Sequence, residues 1–173
     1  MKSFAVALML LLSALPGSAQ TRSYADNASK TFVVGLDSYF YGTAGSIDFR
    51  VDGRDVSVSV KDGCVWADGK PLLRVGESWE VIIGTHDFTG NREPELVVAR
   101  RSQDRVIVGI SAYSSGRWKP LGEVAFPRED SGDVRIFRQV ISVRKGDALY
   151  SWTWHDKRFD FKASDGSPDP TSR

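Results

Sequence analysis

From Thr31 onward the chain alternates between apolar and polar positions. Ile47, Phe49 and Val51 are separated by Asp48 and Arg50, and Val56, Val58 and Val60 by Ser57 and Ser59. A period of two is that of half-buried antiparallel strands. Asp52-Gly53 between these runs is a hairpin turn pair, because both residue types tolerate positive φ. Further turn signals stand at Asp62-Gly63, Asp68-Gly69, Ser102–Asp104, Ser114–Gly116, Lys145–Asp147 and His155–Lys157. Strands bounded by turns every 8–14 residues or so predict a meander of hairpins, and no stretch has a helical period of useful length. The predicted fold is all-β: an antiparallel meander forming a compact sandwich or irregular barrel, as a single domain over residues 31–162.

One stretch breaks the alternation. In Ser78–Val98, two apolar runs, Val81–Ile83 and Leu96–Ala99, carry apolar residues on both parities. This predicts strands buried on both faces, near the middle of a sheet. The polar loop between them places oxygen-bearing side chains at Asp87, Thr89 and Asn91, then at Glu95. Such spacing is how a short loop wraps a hard cation. The same residues also make a metal-free loop, with Asp87 capping its own turn and Pro94 setting the entry to the next strand.

The run Asp-Phe-Thr-Gly-Asn-Arg-Glu-Pro-Glu-Leu-Val-Val (residues 87–98) resembles the loop and following strand of FG-GAP/VCBS repeats. The resemblance implies calcium held by Asp87, Asn91 and Glu95 side chains with the Glu93 carbonyl, Thr89 lying within the same set. Thr89 and Asn91 stand where the family usually has aspartates, and Arg92 where it usually has glycine. The repeats usually build propeller blades. Four blades of about 40–50 residues need about 160–200 residues, and a second clear copy of the loop is not found, so a closed propeller is not expected.

Residues 1–19 read as a secretory signal peptide: Lys2, the apolar run Phe4–Leu12, and small residues at Gly17-Ser18-Ala19. The apolar run is too short to span a bilayer comfortably, and no second candidate follows. A periplasmic or secreted protein is expected, with flexible segments at 20–30 and 163–173. Removing 19 of 173 residues leaves 154, enough for one substantial core. Lys2 leaves too, so 22 basic residues balance 22 acidic ones, which argues against nucleic acid or an anionic membrane as the main partner. Cys64 is alone, so no internal disulfide forms.

Catalytic signals are weak. His86 and His155 each precede an aspartate, but successive strand residues point to opposite faces, so neither is a ready dyad. Glu77 and Glu80 are three apart and fall on opposite faces of a strand. The aromatic residues offer more. Tyr150, Trp152 and Trp154 alternate with Ser151 and Thr153, so one strand face carries all three. That row is a core strip, or an exposed platform for a sugar or protein. The expectation is an exported, non-enzymatic binding module with a protein or glycan partner, of inhibitor, immunity or adhesion type, with calcium as its candidate cofactor. A small secreted hydrolase and a lipocalin-like carrier of an apolar ligand are the alternatives, and oligomeric state is left open.

Overall fold

Each predicted turn falls between two consecutive strands in a computed structural model of the chain, which describes residues 32–76, 79–128 and 134–171. The signal peptide, the segment 20–30 and Glu77 lie outside the described residues. Fourteen strands are present among the described residues, and twelve of them form three successive four-stranded meanders. The first sheet is β3 (Gly45–Val51), β4 (Arg54–Lys61), β5 (Cys64–Ala67) and β6 (Lys70–Arg74). The second is β7 (Glu80–His86), β8 (Glu95–Arg101), β9 (Arg105–Ser114) and β10 (Arg117–Pro127), with β2 (Ser38–Tyr41) added beside β7. The third is β11 (Val134–Phe137), β12 (Val140–Lys145), β13 (Ala148–His155) and β14 (Arg158–Ala163). Here β1 (Val33–Val34) joins β11 in parallel, and every other strand pair among the described residues is antiparallel.

Tight hairpins set the registers. Asp52 and Gly53 have φ of 51° and 71°, and Asp68 and Gly69 have 49° and 73°. Two consecutive left-handed residues make the type I′ turn, whose twist matches that of paired strands. Alternation then decides the faces: Val56, Val58 and Val60 point inward from β4 while Ser57 faces out.

The second sheet lies between the other two. Val81, Ile83, Leu96 and Val98 pack against Val51, Val58 and Val65 of the first sheet. Their neighbours of opposite parity, Ile82, Val97 and Ala99, pack against Ile136, Ile141 and Trp152 of the third. The two-parity apolar runs therefore have the cause expected from sequence, since β7 and β8 are covered on both faces. Each fully buried Val, Leu or Ile contributes about 1.5–3 kcal/mol. No barrel closes, the chain is one compact all-β domain, and no helix among the described residues is long and apolar enough to cross a membrane.

The segment after β14 contacts the core. β14 runs through Ala163, and beyond it the Asp169 carboxylate accepts the Trp152 indole N–H at 3.2 Å. Asp169 also accepts from the amide and hydroxyl of Thr171. Asp169 thus joins this segment to a core side chain.

Candidate functional site

The loop between β7 and β8 is built around a buried carboxylate. Glu95 is 1 % exposed. Its Oε2 accepts the amides of Phe88 and Thr89 at 2.6 and 3.0 Å, and its Oε1 accepts the Thr89 hydroxyl at 2.8 Å. Phe88 is fully buried, with its ring 5.7 Å from that of Phe159 on β14, so the loop has its own apolar anchor. Asp87 Oδ2 accepts the Arg92 amide at 3.0 Å, and Asn91 Oδ1 accepts the Glu93 amide at 2.8 Å. The second of these is an Asx turn, the local bond that favours asparagine in loops. Arg92 has a φ of 70°, a left-handed conformation that glycine adopts without strain.

The same loop joins all three sheets. Glu93 Oε2 accepts the Asp52 amide, at the β3–β4 turn of the first sheet, at 2.9 Å. On the other side Gln139 Nε2 donates to the Thr89 carbonyl at 3.0 Å, from the β11–β12 turn of the third sheet. His86 Nε2 reaches the Arg138 carbonyl at 3.0 Å. A carbonyl can only accept, so His86 carries its proton on Nε2. The first hairpin of each meander thus lies at one end of the stack, and the middle one clasps the outer two.

These bonds bear on the calcium expected from the resemblance. Of the side-chain oxygens of Asp87, Thr89, Asn91 and Glu95, only Asp87 Oδ1 is buried with no hydrogen-bond partner among the described residues. Calcium takes about six to eight oxygens. To recruit Glu95, an ion would have to release the amides of Phe88 and Thr89 inside the core, where an unsatisfied donor costs about 1–3 kcal/mol. The donor set in this arrangement does not fit the ion. Among the described residues no group of three or more His, Cys, Asp or Glu side chains is placed to hold a metal.

The aromatic row is not a platform. Tyr150, Trp152 and Trp154 are 5 %, 1 % and 9 % exposed and face the second sheet. Trp152 stacks on Phe126 at 5.6 Å and meets Phe161 at 5.2 Å, while Trp154 meets Phe159 edge-on at 5.2 Å. Alternation with Ser151 and Thr153 reads the same for either face, and the burial of about 150–250 Å² per aromatic ring decides it. These rings pack between the second and third sheets.

The other candidates are placed as follows. His155 Nδ1 lies 3.2 Å from Asp156 Oδ2, closer than the strand rule implies. Asp156 has left the strand for a left-handed turn position, φ 49°, and both groups are exposed. Glu80 binds the Arg101 guanidinium and accepts from the Tyr41 hydroxyl. The hydrogen bond from Arg101 holds the Glu80 carboxyl below its usual range. Burial, and then the Glu80 charge, raise the Tyr41 phenol. Cys64 is half-buried, with its thiol 3.6 Å from the Val65 carbonyl.

The outer face of the third sheet carries features that the pattern did not single out. Val34, Phe137 and Leu149 are 48 %, 69 % and 44 % exposed, the only large exposed hydrophobics among the described residues, and all three lie on this face. Val34, Arg135, Ser142, Ser151 and Lys162 are register partners in one row across five strands. Arg144 stands opposite Leu149. Arg135, Arg144 and Lys162 have no acidic partner among the described residues, whereas Arg158 is paired with Asp160 at 3.0 Å. The signal in the sequence was Phe137, an aromatic on the polar phase of Val134-Arg135-Ile136-Phe137.

No family model matches the chain, and neither the curated proteins nor the solved structures give a match.

Proposed function

We propose that this chain is an exported, non-enzymatic binding module that docks an acidic protein partner on the outer face of its third sheet. The observation that carries it is that Val34, Phe137 and Leu149 share one face with the cations of Arg135, Arg144 and Lys162, distributed over three register rows. Large apolar side chains exposed on one face favour contact there, and cations with no acidic partner among the described residues select acidic ones. Five strands spaced about 4.8 Å apart give a face roughly 19 Å across. A patch of that size falls below the roughly 800 Å² per partner of a standard interface, which fits a transient, electrostatically steered contact. The leader-like residues 1–19 support export. The loop at 87–95 is the clasp of the scaffold, held by protein hydrogen bonds and stable without calcium.

Peptide display tests the docking face. Binders are selected from a random library on the wild-type protein, and their affinities are then measured on a Phe137→Asp/Arg135→Glu variant. The selected sequences are expected to combine acidic with apolar residues and to weaken as salt rises from about 50 to 500 mM, where screening shortens the Debye length severalfold. Neutral or basic sequences, or binders indifferent to the double variant, would refute the proposal.

A further inference from the structure

A second feature lies away from that face, at the mouth between the first and second sheets. A cleft of about 440 Å³ opens there, lined by the β5–β6 hairpin, the start of β4 and the β9–β10 hairpin. We propose that it is a binding site for an acidic sugar, a pyranose unit bearing a carboxylate, either free or at the end of a polysaccharide. The proposal stands apart from the protein-docking face and survives the failure of that reading.

The chemistry of the lining selects the ligand. Tyr113 and Trp118 are direct cross-strand partners on β9 and β10, with rings 5.2 Å apart at 65°. Phe49 meets the Trp118 ring edge-on at 6.0 Å. Such rings offer a rigid apolar surface with a polar handle, which suits the flat C–H face of a pyranose. Arg54, Lys70 and Arg117 contribute three cations against the single carboxylate of Asp68, an excess of two positive charges. Arg54 is fixed, with its Nη1 donating to the Tyr113 hydroxyl at 2.6 Å and its guanidinium carbon 5.8 Å from that ring. Lys70 and Arg117 have no ion-pair partner among the described residues. Cations on the rim bind a carboxylate, and the Asp68 carboxylate accepts from sugar hydroxyls. A neutral sugar leaves the cations without a counter-charge, and a simple aliphatic acid leaves the rings uncovered, while Asp68, whose Oδ1 accepts the Ser57 amide at 3.4 Å, keeps its other oxygen for a sugar hydroxyl.

The walls are preformed. Asp68-Gly69 closes one hairpin at φ 49° and 73°, and Ser115-Gly116 closes the other at 56° and 77°. Both are two-residue turns that leave the flanking strands little freedom, so little ordering cost falls on binding. The volume lies within the range of about 300–1,000 Å³ of small-molecule sites.

Isothermal titration of the full mature chain with glucuronate, its oligosaccharides and glucose tests the site. Glucuronate or its oligomers are expected to bind with a dissociation constant of roughly 1 mM or tighter, and glucose at least about tenfold more weakly. Lys70→Gln/Arg117→Gln, both exposed and outside the core, should weaken the acidic sugar about tenfold or more and leave the melting curve unchanged. Phe137→Asp should not alter sugar binding. Equal binding of glucose and glucuronate, no binding of any acidic sugar by the wild type, or undiminished binding by the double variant would each overturn the proposal.

Discussion

Glu95 holds Thr89 with both of its carboxylate oxygens, taking the amide on Oε2 at 3.0 Å and the hydroxyl on Oε1 at 2.8 Å. Hydrogen bonds to a charged acceptor contribute about 1.5–3 kcal/mol each, and removing a buried acceptor leaves its donors unsatisfied. Glu95→Ala is therefore expected to destabilise the domain by about 3–5 kcal/mol in urea unfolding. A loss below about 1 kcal/mol would mean that water replaces the carboxylate and that the clasp holds little.

Arg92 occupies a left-handed position that costs a side chain about 1–2 kcal/mol, part of which glycine returns through its greater unfolded entropy. Arg92→Gly should stabilise the protein by about 0.5–1 kcal/mol, with or without calcium. A gain that appears only with calcium would make the loop an ion site.

Trp152 and Trp154 differ from the docking residues in what their removal should do. Trp152→Ala and Trp154→Ala are each expected to cost about 3–5 kcal/mol. Phe137→Asp should leave the unfolding midpoint nearly unchanged, because its ring is 69 % exposed. A midpoint indifferent to either tryptophan would return the row to the surface.

The pH profile should reflect Glu80. Its folded carboxyl lies below the ordinary value of 4.5, chiefly through the Arg101 hydrogen bond. The stability it contributes is present above pH 4.5 and is lost as pH falls through the depressed folded value. Tyr41 works in the opposite sense: its raised phenol contributes below pH 10.0 and loses that contribution as pH rises past it. Urea midpoints across the acid range should fall less steeply for Glu80→Gln than for wild type. Parallel acid limbs would show that other carboxylates dominate.

Hairpin chemistry made most strands legible, since Asp-Gly at 52–53, 62–63 and 68–69 states both the turn and its type. The Arg138-Gln139 turn has neither glycine nor asparagine and left no such mark. The burial of β7 and β8 on both faces was legible in their double-parity apolar runs. The threefold repeat of the meander was not, because each copy buries different residues against different neighbours. The clasp depends on Glu93 meeting Asp52 and on Gln139 meeting Thr89, separations of 41 and 50 residues. Local spacing could show the oxygens of Asp87, Asn91 and Glu95 but not that backbone amides had already engaged them.

Backbone chemical-shift mapping of the protein, with a selected acidic peptide and separately with calcium, tests docking on the third sheet and clasping by the loop together. The expected result is that the peptide shifts resonances along β11, β12 and β13 around Arg135, Phe137, Arg144 and Leu149. Those of Phe88, Thr89 and Arg92 should stay in place with the peptide and with calcium alike. Saturable calcium shifts at Phe88 and Thr89, or a peptide footprint that avoids the third sheet, would contradict it.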